Sequence, residues 1–165
     1  MAGLFVLLGF GVPHLASMFW CRLGLNVEPI MHNPLLARSL ADFWGRRWNR
    51  AFRDVVCPLF CHPLMPRFGR GGALIIGFLV SGLVHELVIS FPSRSGFGGP
   101  TAYFLMQAFG VLIQRRLNTP HFVRHRVILS RISTFAFLTA PLPLLYPALF
   151  IDRIVLPFLR VIGAT

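Results

Sequence analysis

The sequence predicts an all-α fold: a polytopic transmembrane helix bundle of about four to five membrane segments, with one amphipathic helix at the interface. Three observations predict it. The 165 residues are 55% hydrophobic, include 17 Phe, and are only 13% charged, whereas a water-soluble domain of this size needs a far larger polar surface. Long apolar stretches recur with few charges inside them. The arginines crowd the stretches between. The length suggests one membrane domain covering residues 1–165.

The first segment is placed at Gly3–Leu23. It lacks a basic leader and an obvious cleavage site, so it reads as retained rather than cleaved, and Pro13 and His14 interrupt it. A polar, Arg-rich stretch follows from Glu28 to Arg70. Gly71–Phe91 is the clearest span: at roughly 1.5 Å per residue it reaches about 31 Å, the thickness of a bilayer core. Ser93–Gly99 reads as a turn, Thr101–Gln114 as a shorter apolar helix, and Ile132–Ile151 as a span broken by Pro141, Pro143 and Pro147. Ile154–Ile162 is too short to cross alone.

Within the Arg-rich stretch, Asp42–Asp54 reads as one amphipathic helix. Trp44, Trp48 and Phe52 form one stripe and Asp42, Arg46, Asn49 and Arg53 another. Ser39 stands at capping-box spacing before Asp42. The Glu28–Arg70 stretch carries Arg38, Arg46, Arg47, Arg50, Arg53, Arg67 and Arg70. Arg94 is alone in the next loop, and Arg115, Arg116, Arg124, Arg126 and Arg131 follow in the one after. This alternation places the two Arg-rich stretches on the cytoplasmic side. The expected setting is the inner membrane of a bacterium.

Net charge is +11, and all 16 basic residues are Arg. No nucleic-acid partner is expected, because phosphate binding needs a solvated basic face that this chain has little surface to supply. Three Cys give no disulfide framework. Cys57, Cys61 and His62 lack the further ligands of a tetrahedral site, so no metal is expected. His121 and His125, four apart in an Arg-rich loop, read as a solvated pair.

His85 and Glu86 lie inside the best span. An ionisable pair at membrane depth is costly and marks function. Ser81 and Gly77 share the face of His85 and are small, which leaves room for a neighbouring helix or a substrate chain. Imidazole is the side chain best suited to take a proton near neutral pH. Ile89 occupies the fifth position counted from His85, so H-E-x-x-H is absent, and no G-x-S-x-G supports a serine hydrolase. Asn49 is a second candidate, able to donate to a carbonyl oxygen as charge develops there. Adjacent helical residues point about 100° apart, so Glu86 is expected to pair with another helix or a backbone group rather than with His85.

Two motifs carry a resemblance. Ser39-Leu40-Ala41-Asp42-Phe43-Trp44-Gly45-Arg46-Arg47-Trp48-Asn49 resembles the S-L-x-x-F-W-x-R-R-W-N signature of wax synthase-like proteins in the membrane-bound O-acyltransferase superfamily. Phe78-Leu79-Val80-Ser81-Gly82-Leu83-Val84-His85-Glu86-Leu87 resembles that family's F-x-x-S-G-x-x-H-E-L segment. The resemblance covers about Pro34–Arg116, and extends less distinctively to the segment ending Leu156-Pro157-Phe158-Leu159-Arg160. It implies the C-terminal core of that fold, shortened at its N-terminus relative to the family. It implies acyl transfer to a hydroxyl acceptor, commonly from acyl-coenzyme A as co-substrate, giving a lipid ester with no cofactor. His85 maps to the general base and Asn49 to the second active-site residue. Trp44, Arg46, Arg47, Trp48, Ser81 and Glu86 are the expected substrate-binding residues. Membrane lipids, acyl-coenzyme A and a lipid-like alcohol are the expected partners, with a second copy or a partner subunit where the short chain needs one. Two other readings stay open: a catalytically silent or fragmentary membrane scaffold, and a small proton-coupled transporter built on His85.

Overall fold

The computed structural model describes residues 31–117 and 127–161, together with Arg22. The expected first segment lies outside the described residues apart from Arg22, as do His121 and His125. Among the described residues all regular structure is helical. A 3-10 turn, Pro34–Leu36, leads into α1, Leu40–Asp42, which a π-helical turn extends over Phe43–Arg47. Next come α2, Arg50–Val56, a π turn at Cys57–Cys61, and α3, His62–His85. A further π turn, Glu86–Ser90, joins α3 to α4, Phe91–Ser93. Beyond the turn are α5, Gly99–Arg116, and α6, Val127–Thr139. The chain closes with α7, Leu142–Leu145, α8, Ala148–Phe150, and α9, Leu156–Val161. The breaks at Pro141 and Pro147 fall where the sequence puts them.

The single helix expected over Asp42–Asp54 is two. Trp48 is extended (φ −99°, ψ 131°) and Asn49 is left-handed (φ 39°, ψ 59°). Asn49 Oδ1 accepts the Phe52 N–H at 3.2 Å and starts α2 as its N-cap. A short amide can satisfy a helix start in this way and tolerates the left-handed region, so the break forms at the asparagine. The tryptophan stripe is therefore not one helical face. Trp48 stacks back on Phe43 with centroids 5.2 Å apart, while Phe52 packs beside Val56, Cys61 and Ala73.

The Arg-rich stretch is not a loop either. The helical run Arg50–Ser93 is folded back on itself at Gly69, whose φ of 68° and ψ of 178° no helix contains. Val56, Cys61 and Ala73 form one buried cluster with Met65 and Val80 around it, and a Cβ placed on Gly77 would sit 3.0 Å from Cys61 Sγ. Cys61 and Gly77 are each eight residues from Gly69, the register of an antiparallel helical hairpin. Gly69 takes the turn because a residue with a Cβ pays for φ above zero. Gly77 is small because Cys61 presses on it, the close helix approach expected at that face.

α5 lies antiparallel to the second arm of the hairpin. A Cβ on Gly82 would lie 2.7 Å from Thr101 Cα, so the two backbones nearly touch there. Gly71 faces Leu112 farther along. On its other side α5 meets α6, through Tyr103 Oη donating to Leu138 O at 3.1 Å and Gln107 Nε2 donating to Phe137 O at 3.3 Å. α1 closes the bundle: Leu40 N donates to Gln114 Oε1 at 2.9 Å, and Leu40, Phe43, Val111 and Leu138 share a core.

Among the described residues two helical stretches hold a segment long and apolar enough to cross a membrane, Arg50–Ser93 and Val127–Leu145. Leu83, Leu87 and Phe91 run along the outside of the second arm, exposed by 52%, 68% and 69%. An apolar stripe facing outward for two helical turns suits lipid rather than water.

Asp42 anchors α1. Ser39 Oγ accepts the Asp42 N–H at 2.9 Å, the forward half of the predicted capping box. The return half goes one residue further back, with Asp42 Oδ2 accepting from Arg38 N at 3.3 Å. Arg47 Nε reaches the same oxygen at 2.8 Å, and Arg46 Nε the other at 3.1 Å. Burial raises the Asp42 carboxyl, but the Arg47 hydrogen bond, the Arg38 N–H and the charges of Arg47 and Arg46 outweigh it and hold it below the usual carboxylate range.

Two measurements follow from this architecture. Gly77→Cys places a second thiol against Cys61, so oxidation is expected to close a disulfide between them, read as two thiols lost to maleimide labelling. An unfolded-back helix would hold these positions about 24 Å apart and leave all thiols reactive. A carboxyl depressed in the fold contributes stability above its unfolded pKa of about 3.9, and that contribution is lost as pH falls through the folded value. Asp42→Asn is therefore expected to cost about 2 kcal/mol near neutrality and to flatten the fall in thermal stability on acidification, measured in detergent micelles from about pH 5 down to about pH 2.

Candidate active site

His85 is held by its own helix. Nδ1 lies 2.7 Å from Ser81 O, one turn back. A carbonyl oxygen only accepts, so in the neutral ring Nδ1 carries the proton and Nε2 bears the lone pair. Nε2 makes no hydrogen bond to any described residue. The half-buried imidazole packs against Phe104, centroid to centroid 4.5 Å. Directly after His85 the helix widens into the π turn Glu86–Ser90, with Phe91 N bonding Glu86 O. π turns of this kind occur often at functional sites.

Phe104 belongs to an aromatic chain that runs back to the Trp-rich motif. Trp44 stands 5.7 Å from Phe104 and 5.5 Å from Phe78. Phe43 stands 5.1 Å from Trp44 and stacks on Trp48. The Trp44 indole N–H donates to Gln107 Oε1 at 3.4 Å. The two motifs therefore meet both directly, Trp44 on Phe78, and through Phe104 of α5, although about thirty residues separate them in sequence.

Asn49 and His85 are not hydrogen-bonded to each other. Asn49 Oδ1 is engaged as the α2 cap, and its Nδ2 donates to no described residue, leaving that amide available to a carbonyl oxygen.

The remaining candidates divide by what they touch. Arg47 is turned inward, bonded to Asp42 and to His32 O and Asn33 O. Arg46 is paired with Asp42 but is 78% exposed. Both line an open cavity of about 340 Å³ with His32, Arg38 and Asp42, a basic recess beside the Trp-rich motif. Trp44 and Trp48 lie in the aromatic core. Ser81 is buried and gives its carbonyl to His85. Glu86 pairs with backbone and hydroxyl groups at the start of α5, as the sequence led us to expect.

Phe104 and Gln107 form part of this arrangement and were not singled out from sequence. Gln107 carried a usable signal: it is a lone amide within an apolar helix, and it is wholly buried. Phe104 carried none, since one phenylalanine among 17 does not announce its neighbour.

Comparison with known proteins finds relatives of this chain. Residues 27–107 match the membrane bound O-acyl transferase family. Probable long-chain-alcohol O-fatty-acyltransferase 8 of Arabidopsis thaliana is 34% identical over 125 residues, 70% of this chain and 37% of that protein. The long-chain-alcohol O-fatty-acyltransferase of Simmondsia chinensis is 37% identical over 81 residues, 44% of this chain and 23% of that protein. Acyl-CoA–sterol O-acyltransferase 1 of Arabidopsis thaliana is 38% identical over 77 residues, 42% and 22% of the two chains. The chain spans less than half the length of these curated relatives. No solved structure matches it. Two motifs brought together on one apolar helix, and the match that spans both, show that this membrane protein belongs to the membrane-bound O-acyltransferase family, in its wax synthase-like branch.

Proposed function

We propose that the chain carries the acyl-transfer core of a membrane O-acyltransferase, esterifying a lipid-like alcohol with an acyl group from acyl-coenzyme A. The observation that carries this is the His85 ring: Nδ1 is committed to Ser81 O, so Nε2 is the basic atom, beside the apolar ring of Phe104. Nε2 takes the proton of the alcohol as its oxygen attacks the thioester carbonyl. The carbonyl oxygen gains negative charge, which the Asn49 Nδ2–H stabilises. The C–S bond then breaks, and the departing thiolate takes the proton from the imidazolium, returning His85 to its starting state. The recess of Arg46, Arg47 and Arg38 suits the phosphates of the acyl donor.

The charge pattern adds an orientation. Arg67 and Arg70 flank the hairpin turn, and the antiparallel packing of α5 brings Arg115 and Arg116 to the same end. We assign that end to the cytoplasm and the 94–98 turn to the opposite side. The bacterial inner membrane expected at the outset is carried by no described residue, and the matched relatives named above are plant proteins.

His85→Ala is expected to lower ester formation by about 10²–10⁴-fold, measured in membranes with labelled acyl-coenzyme A and a panel of long-chain alcohols and sterols. Asn49→Asp keeps the helix cap, since aspartate caps as well as asparagine, but removes the amide donor. A loss of about 10²–10³-fold in turnover with unchanged thermal stability is expected. Ester formation that survives His85→Ala rejects the mechanism. A chain that makes no ester with any acceptor, although present in the membrane, is the silent-subunit reading instead. For orientation, a cysteine at Ser95 should react with an impermeant maleimide only from the non-cytoplasmic side.

A further inference from the structure

Ser81, Gly82, His85 and Glu86 form two interleaved pairs, each spaced by four. Ser81 and His85 make the hydrogen bond that sets the tautomer. Gly82 and Glu86 occupy the adjacent face and meet the start of α5: Gly82 lies against Thr101, and Glu86 Oε1 accepts from Gly98 N at 2.9 Å, Thr101 N at 3.2 Å and Thr101 Oγ1 at 3.0 Å.

The N–H groups at the start of α5 show what this carboxylate does. The first turn of a helix leaves backbone N–H groups without intrahelical partners, and an N-cap side chain normally accepts from one of them. Here the N-cap is Gly98, which has no side chain to offer. Gly99 N bonds Gly96 O, and Ala102 N bonds Gly98 O. Pro100 has no N–H. Gly98 N and Thr101 N remain, and both go to Glu86. The cap that α5 cannot supply is delivered from the neighbouring helix, as a carboxylate at the positive end of the helix dipole. Phe104, one turn along α5 from Thr101, is the residue that packs on the His85 ring.

We propose that Glu86 is a positioning residue: by capping α5 from the hairpin it fixes the depth and rotation of that helix, and so holds Phe104 against the imidazole. The proposal rests on the reading of His85 as the base. Its distinguishing feature is that reach matters more than charge. Glu86→Gln keeps an Oε1 acceptor at the same distance. Glu86→Asp keeps the charge but is one methylene too short.

The test compares these two conservative variants with the wild-type chain in membranes. Glu86→Asp should lose about a hundredfold in kcat with little change in KM, the size of effect expected from misplacing a reacting group by about 1 Å, and Glu86→Gln should lose at least tenfold less than Glu86→Asp. Diethyl pyrocarbonate modification of His85, followed by mass spectrometry of its peptide, should be faster in Glu86→Asp and unchanged in Glu86→Gln. Thr101→Val removes one of the three bonds and should fall between them in both readouts. An aspartate variant as active as the glutamine variant, or more so, overturns the proposal, as does an unchanged His85 reactivity in Glu86→Asp. Survival of ester formation in His85→Ala rejects the base assignment separately and leaves the reactivity comparison to decide the role of Glu86.

Discussion

The constraint on which the rest of the structure depends is that polar groups inside an apolar bundle must be satisfied by the protein itself. α5 is where most of that satisfaction takes place. Its first turn is capped by Glu86 from the hairpin. Tyr103 and Gln107 bond the backbone at the end of α6. Gln107 also receives the Trp44 indole, and Gln114 receives the backbone of α1. Each bond is modest when exchanged for water, but leaving its buried partner unpaired is expensive. α5 therefore has few alternative positions, and the helices around it are registered through it.

That registration makes a site out of two distant motifs. The Trp-rich motif contributes a short helix, a break at Trp48–Asn49 and an aromatic core. The histidine motif contributes an imidazole with a defined tautomer and, on the adjacent face, the docking pair Gly82 and Glu86. Neither motif bonds directly to the other's functional side chain. Phe104 joins them by ring contact with Trp44 and His85, and Trp44 also packs directly on Phe78. A support of this kind holds the His85 ring in one orientation.

The Arg-rich stretch shows how charge can obscure architecture. Asp42 collects Arg46, Arg47 and the Arg38 backbone, and Arg53 donates to Gly45 O and pairs with Asp54. These contacts tie a short helix onto the bundle, where the sequence suggested one peripheral helix in a polar loop.

The sequence by itself determined the membrane setting, the helical class, the helices at Gly71–Phe91 and Thr101–Gln114, the breaks at the prolines and the place of His85 inside the first of those helices. These follow from hydropathy, proline chemistry and the cost of an imidazole at depth, all of which act within a short window of chain. Only the tertiary structure decided that Gly69 reverses the chain, that Asn49 divides the amphipathic helix and caps its second half, and that Glu86 serves α5 rather than its neighbour His85. The reason is the same in each case. A glycine turn, an asparagine cap and a carboxylate's choice of partner depend on which backbone donors are left over when helices meet, and those leftovers exist only once the helices have packed.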